Sequence, residues 1–336
     1  MGLPTLGNRY VLETAAGSGA SGTVFRARDG RGGGTVAVKL LASVDADALA
    51  RFEREAAIAR ELEHPAIVRC LEAGRSETGQ AYLVMEWLNG VSLRERLRTD
   101  ELSLAETLVL GRRIASALAF AHERGVLHRD VKPANAFLPE GDTAQAKLLD
   151  FGIARRDTGG DSLTAPGALV GTPGYVSPEQ IIGARGDKRS DVYALGCLLF
   201  RCLAGRAVFE GGDPLALLMR AGRDRAPKLT EIADGAPPAL AALVDRMLER
   251  EAADRPADGG EVLRELELIG EPVDGSARPS RVAVADLVTP QPLTLGSEPR
   301  SSAPPRPDKR RTWPRLATGA TSVAAVAALM TAFVSR

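Results

Sequence analysis

The chain has 336 residues, more than one ordinary hydrophobic core accommodates, so length alone points to about two compact units. Apolar residues make up 44% and charged residues 26%, which excludes wholesale disorder; 43 Lys+Arg balance 43 Asp+Glu, which excludes a global basic field for nucleic acid. Cys70, Cys197 and Cys202 have no metal-ligand spacing, their odd number suits a reducing compartment, and no charged stretch followed by an apolar run marks a secretory leader.

The first hundred residues alternate in strand fashion. Arg9–Glu13, Thr23–Arg28, Thr35–Leu41 and Ala81–Glu86 are short, aliphatic or β-branched, and divided by Gly-rich turns, with one helix predicted over about Asp45–Glu63. Between two of these strands lies Gly17-Ser18-Gly19-Ala20-Ser21-Gly22-Thr23-Val24. Glycines let backbone N–H groups approach a phosphate, although in a chain with 35 glycines an ordinary hairpin turn is an equal reading. A dinucleotide-binding loop would open a helix; here Thr23-Val24-Phe25-Arg26-Ala27 prefers a strand, so any phosphate would be covered by a hairpin.

Alternation in Val36-Ala37-Val38-Lys39 puts Lys39 on the face of Ala37 and Leu41. A strand lysine can snorkel to solvent, but the next helix offers it a partner: Ala48, Phe52, Glu55, Ala59 and Leu62 share one stripe, which places Glu55 among apolar neighbours. A carboxylate there needs a cation, and a Lys39–Glu55 pair is expected, with Glu53, Arg54 and Glu61 facing water.

Beyond residue 100 the pattern turns helical. Ser103-Leu104-Ala105-Glu106 is a capping box opening a helix that Gly125 stops, and Ser190–Ala204 is nearly all apolar up to Gly205, as in a buried helix. Between these helices, His128-Arg129-Asp130-Val131-Lys132-Pro133-Ala134-Asn135 falls in a loop, and Asp150-Phe151-Gly152 emerges from the apolar strand Ala146–Leu149, where a hard cation could be held by oxygen ligands. His64 and His122 read as packed histidines.

These motifs, in this order, carry a resemblance. From about Tyr10 to Leu268 the chain resembles the bacterial Hanks-type serine/threonine protein kinases, through GxGxxGxV, VAVK, HRDxKxxN, DFG and Ser177-Pro178-Glu179 in place of the usual Ala-Pro-Glu. The resemblance implies an α+β, bilobal protein-kinase-like fold in one domain, 10–268, with a small β-rich N-lobe holding one key helix (about 10–88) and a larger, mainly helical C-lobe (about 89–268). It implies that Lys39 holds the α/β-phosphates of ATP and is oriented by Glu55, and that Asn135 and Asp150 hold Mg2+, with Mn2+ as an alternative. Asp130 would orient a protein Ser/Thr hydroxyl and accept its proton, and Lys132 would neutralise the transferring phosphoryl group.

By the same resemblance, ATP would lie under Ala16, the loop Gly17, Ser18, Gly19, Ala20, Ser21, Gly22, Thr23 and Val24, and Ala37. Its adenine would meet Met85 and the backbone of Glu86 and Leu88; Ala16 stands where relatives carry a branched aliphatic residue. His128, Phe151 and Thr172 are implied as structural residues, Asp191 as the brace of the catalytic loop, and Arg255 as the partner of Glu179. Arg129 is a receptor for a phosphate on the activation segment, with Thr164 and then Ser162 as the expected autophosphorylation sites; a homodimer would serve transfer between copies. A catalytically weak pseudokinase scaffold is the rival reading, opposed by the presence of Lys39, Asp130 and Asp150, and a small-molecule phosphotransferase is a second rival.

Composition changes near Gly270. Residues 271–315 hold nine of the 21 prolines and no apolar periodicity and read as a disordered, Pro/Ser/Arg-rich linker. Residues 316–334 then run 19 positions without charge or proline, behind Lys309, Arg310, Arg311 and Arg315. That length suits a single transmembrane helix that anchors the chain with its kinase domain in the cytoplasm, although seven alanines leave an Ala-rich helix packed on protein as the other reading. Only Ser335-Arg336 follow, so no ectodomain is expected and regulation would come through partners, membrane clustering or the linker.

Overall fold

A computed structural model of the protein describes residues 5–19, 22–41, 46–77, 79–151, 173–211, 213–270 and 280–281, and their side chains except at 46–51, 54, 55, 234, 280 and 281. The first part is a six-stranded antiparallel sheet in the order β1-β2-β3-β4-β6-β5. Its strands are β1 (Thr5–Leu6), β2 (Tyr10–Gly19), β3 (Gly22–Asp29), β4 (Thr35–Leu41), β5 (Cys70–Arg75) and β6 (Ala81–Glu86), with helix α1 (Ala46–Glu61) between β4 and β5. Alternation divides β4 as its sequence predicts. Val36 and Val38 join Tyr10, Leu12, Ala27, Tyr82 and Val84 in one apolar cluster, while Leu41 packs with Phe52 and Ala56 of α1 on the other face.

The second part is mainly helical. Its elements are β7 (Gly90–Ser92), α2 (Leu93–Thr99), α3 (Leu104–Glu123), β8 (Ala136–Pro139), β9 (Lys147–Leu148), α4 (Pro178–Ile181), α5 (Lys188–Ala204), α6 (Pro214–Arg223), β10 (Ala233–Asp234), α7 (Pro238–Met247), α8 (Gly259–Leu268) and β11 (Ser280–Arg281). The Ser103/Glu106 capping box opens α3 as expected. At the other end, Gly125 at φ +73° lets its own N–H bond His122 and the N–H of Val126 bond Ala121, a Schellman closure that turns the chain into the following loop. Helix α5 starts earlier than its apolar run because Asp187, whose side chain accepts from the Arg189 N–H, is the cap; Gly205 in the left-handed conformation ends it. Leu108, Ile114 and Leu118 of α3, Leu195, Leu198 and Leu199 of α5, and Val262 and Leu266 of α8 form the centre of the core, each essentially inaccessible to water.

Two expectations change. The β2–β3 hairpin runs to Gly19 and Gly22, longer than the predicted strands, because the glycine backbone itself continues the ladder; its tip, Ala20 and Ser21, lies outside the described residues. The stretch 271–315 is not linker throughout: Ser280–Arg281 pair antiparallel with Ala233–Asp234, since an extended segment needs no apolar side chains to satisfy a strand edge. The rest of that stretch, and 316–334, lie outside the described residues. Among the described helices none is long and apolar enough to cross a membrane.

Candidate active site

Residue Lys39 is placed by its strand. On β4 it stands opposite Val24 of β3 and Leu83 of β6, and its side chain is 6% exposed. Burial of an ammonium demands an anion, and its Nζ lies 2.7 Å from Oδ1 of Asp150. Glu55 falls within α1, but its side chain, and hence the expected Lys39–Glu55 pair, lies outside the description.

The loop after α3 holds its carboxylate in a dense set of bonds. Oδ2 of Asp130 receives Nζ of Lys132 at 2.7 Å and the Asn135 amide at 2.9 Å, and the same amide bonds the Asp130 carbonyl. His128, with no exposed surface, accepts the Asp130 N–H on Nδ1, so Nε2 carries the proton and donates to the Leu149 carbonyl. Burial holds its pKa below the usual range and keeps the ring neutral. The β8–β9 hairpin sets Asn135 beside the strand that delivers Asp150, through Leu149 N–H to the Asn135 carbonyl at 2.8 Å. Phe151 packs on the His128 ring at 4.5 Å between centroids.

Two non-glycine residues here adopt left-handed backbone, Arg129 (φ 63°) and Asp150 (φ 55°). Such conformations cost about 1–3 kcal/mol each and persist where neighbours over-determine them. For Arg129 the restraint is visible. Buried Asp191 of α5 accepts the Arg129 N–H on Oδ1 and the His128 N–H on Oδ2, both at 2.7 Å. Burial opposes the charge on Asp191, but the Nε2–H of His122, 3.0 Å away, and the loop N–H groups outweigh it and hold the carboxyl below its usual range. His122, expected to be a packed histidine, is that and more, since its Nδ1 also accepts the Gly259 N–H.

An apolar cluster adjoins these charges. Ala37, Val68 and Met85 are buried together, with Val24, Trp87, Leu88 and Leu149 packed against them. Val24, Ala37 and the segment Met85-Glu86-Trp87-Leu88 were expected from sequence; Val68 and Leu149 were not, for want of a local pattern. Ala16, on β2, is the extra residue of a bulge and is exposed. Of the glycines, 17 and 19 have open space where a side chain would begin, whereas at Gly22 (φ +137°) a side chain would run into the Leu40 carbonyl.

Glu179 receives both terminal nitrogens of Arg255 at 2.9 Å and the Ser190 hydroxyl at 2.6 Å. Burial works against the charged carboxyl, and the Arg255 and Ser190 bonds reverse this and pull its pKa down to about 2. Ser190 had no signal beyond its place in a helix. Gly152, Ser162, Thr164 and Thr172 lie outside the described residues.

A lysine-bound carboxylate at a strand end, a second carboxylate bridged by lysine and asparagine, and an apolar cluster beside the first suit a flat base with a polyphosphate tail. The family model for the protein kinase domain matches residues 10–265. The chain belongs to that family. Among similar proteins, this protein kinase chain is 39% identical to the serine/threonine-protein kinase PknB of Mycolicibacterium smegmatis over 271 residues, covering 78% of the chain and 43% of the relative. It is 37% identical over 270 residues to the serine/threonine-protein kinase pkn2 of Myxococcus xanthus (76% of the chain, 32% of the relative), and 33% identical over 311 residues to pkn3 of the same organism (88% and 57%). The chain thus spans between about a third and a little over half of the length of these relatives.

Proposed function

We propose that the chain is a serine/threonine protein kinase that transfers the γ-phosphoryl group of ATP to Ser or Thr hydroxyls of proteins. The observation that carries this is the Asp130–Lys132–Asn135 cluster next to the Lys39–Asp150 pair. In the transfer, an acceptor hydroxyl oxygen forms a bond to the γ-phosphorus as the bond to the β,γ-bridging oxygen breaks and ADP leaves; the hydroxyl proton passes to Asp130. Lys132 keeps positive charge against the moving phosphoryl oxygens, and Lys39 exchanges Asp150 for the α- and β-phosphates. Most of the acceleration comes from positioning and charge neutralisation.

Asp150 and Asn135, brought to adjoining ends of the β8–β9 hairpin, supply the oxygen donors a hard cation takes, so Mg2+ (or Mn2+) would be held there and would neutralise phosphate charge. Lysine two residues after Asp130, and the printed names of the relatives, support the Ser/Thr class. The adenine would lie at the apolar cluster against the backbone of Glu86 and Leu88. Residues 10–268 would be the catalytic domain, working in the cytoplasm; 316–334 would anchor it to the membrane behind the basic run 309–315; and Thr164 and Ser162 would be phosphorylated by a second copy, with Arg129 as receptor. The pseudokinase reading has no observation in its favour.

The full chain is incubated with labelled ATP and a generic protein substrate, beside Asp130→Asn. Transfer to Ser and Thr, falling by about 10²–10⁴ in the variant and abolished by chelation with EDTA, is expected. Undiminished transfer in the variant, or label on tyrosine alone, overturns the reading.

A further inference from the structure

Lys147, two residues into the chain after the turn at Thr143–Gln145, belongs to none of the motifs above, yet its Nζ lies 2.6 Å from Oε1 of Glu86, at the exit of β6 beside the apolar cluster. The same carboxylate oxygen accepts the Arg69 N–H at 2.8 Å, and the Arg69 carbonyl accepts the Glu86 N–H at 3.1 Å. Three segments distant in sequence therefore meet at one side chain: the entry to β5, the exit of β6, and β9, which delivers Asp150 three residues later. The same neighbourhood is pinned twice more. Leu148 donates to the Ala66 carbonyl and accepts from the Val68 N–H, and Arg113 of α3 donates to the carbonyls of Ala146 and Pro65.

An ion pair on an open surface contributes almost nothing measurable. This one differs in three respects. Both side chains are about three-quarters or more covered (19% and 26% exposed), the bond is short and charge-assisted, and the carboxylate is oriented by a backbone donor before the lysine arrives. A rigid carboxylate side chain fixes the backbone that bears it, and Glu86 lies in the chain between Met85 and Trp87 of the apolar cluster proposed to receive adenine.

We infer that Lys147 is a positioning residue for the nucleotide base: through Glu86 it locks the β6 exit to β9, so that base recognition depends on this clamp. This rests on the kinase reading above. Lys147 touches neither base nor phosphate; it acts through the orientation of Glu86.

The test uses the full chain, wild type beside Lys147→Met and Lys147→Arg, with three readouts: kcat and KM for ATP, KM for the protein substrate, and affinity for ADP carrying a fluorescent ribose label. Expected in Lys147→Met is a rise of about fivefold or more in KM for ATP and a matching loss of ADP affinity, with kcat and protein-substrate KM within about twofold. Lys147→Arg, which keeps the cation, restores most of it. Should Lys147→Met fail to fold, Lys147→Gln carries the same comparison. Unchanged nucleotide parameters overturn the inference, as does a fall in kcat and melting temperature with KM for ATP and for the protein substrate altered alike, which would mark a merely structural pair. If the wild type itself neither binds labelled ADP nor transfers phosphate, the kinase reading fails first and takes this inference with it.

Discussion

Arg255 is satisfied on every side: besides Glu179 it donates to the carbonyls of Glu249, Arg189 and Arg250, and it lies over the Tyr193 ring. Truncating it to alanine leaves Glu179 a covered, unpaired carboxylate, a loss of about 3–5 kcal/mol that a denaturant midpoint will show. The same pair predicts an acid limb. Glu179 titrates at about 2 when folded against 4.5 as an ordinary glutamate, so its stabilisation is complete above pH 4.5 and disappears as pH falls through about 2. Glu179→Gln should flatten the stability profile in that window, measured as urea midpoints against pH. Residues such as Lys39, Asp130 and Asp150 were legible in the sequence because each sits in a short motif whose spacing carries its chemistry. Lys147 and the bridging role of His122 were not: their partners lie 61 and 69 residues away, and no local period records a contact closed only by the fold.

At the scale of single elements, the glycine hairpin separates folding from binding. Alanine at Gly17 or Gly19 meets nothing within 4 Å and should leave the melting temperature almost unchanged while raising KM for ATP; alanine at Gly22, where the new carbon would lie 2.0 Å from the Leu40 carbonyl, should destabilise the N-terminal sheet. Thermal melts set beside nucleotide titrations distinguish the two. Ser103→Ala removes the cap of α3 and should cost about 1 kcal/mol, read from urea unfolding. Strands β4 and β6 run over the residues the sequence predicts, Thr35–Leu41 and Ala81–Glu86, so their limits were readable. By contrast β5 (Cys-Leu-Glu-Ala-Gly-Arg) has weak strand propensity and exists because β6 offers it an edge, and β9 is only two residues long. Tertiary pairing, not local preference, makes both.

For the molecule as a whole, the two-part division was readable from the switch between period-2 and helical patterning. The chain beyond Gly270 was read from composition alone, which does not foresee a backbone pairing such as Ser280–Arg281 on Ala233–Asp234. The proposed anchor is tested by detergent-free fractionation: the full chain is expected with membranes and a chain ending at 315 in the supernatant, and recovery of both in the supernatant removes the anchor. A chain ending at 258 should be inactive, because α8 is missing, and a kinase assay on it checks this. The reason lies in the His122 ring, which accepts the Gly259 N–H on Nδ1 and donates its Nε2–H to the carboxylate behind Arg129. A polypeptide still emerging from the ribosome has therefore completed every motif needed for chemistry before it can stiffen the segment that performs it. On the kinase reading, phosphate transfer would wait until α8, translated after all of those motifs, has been made.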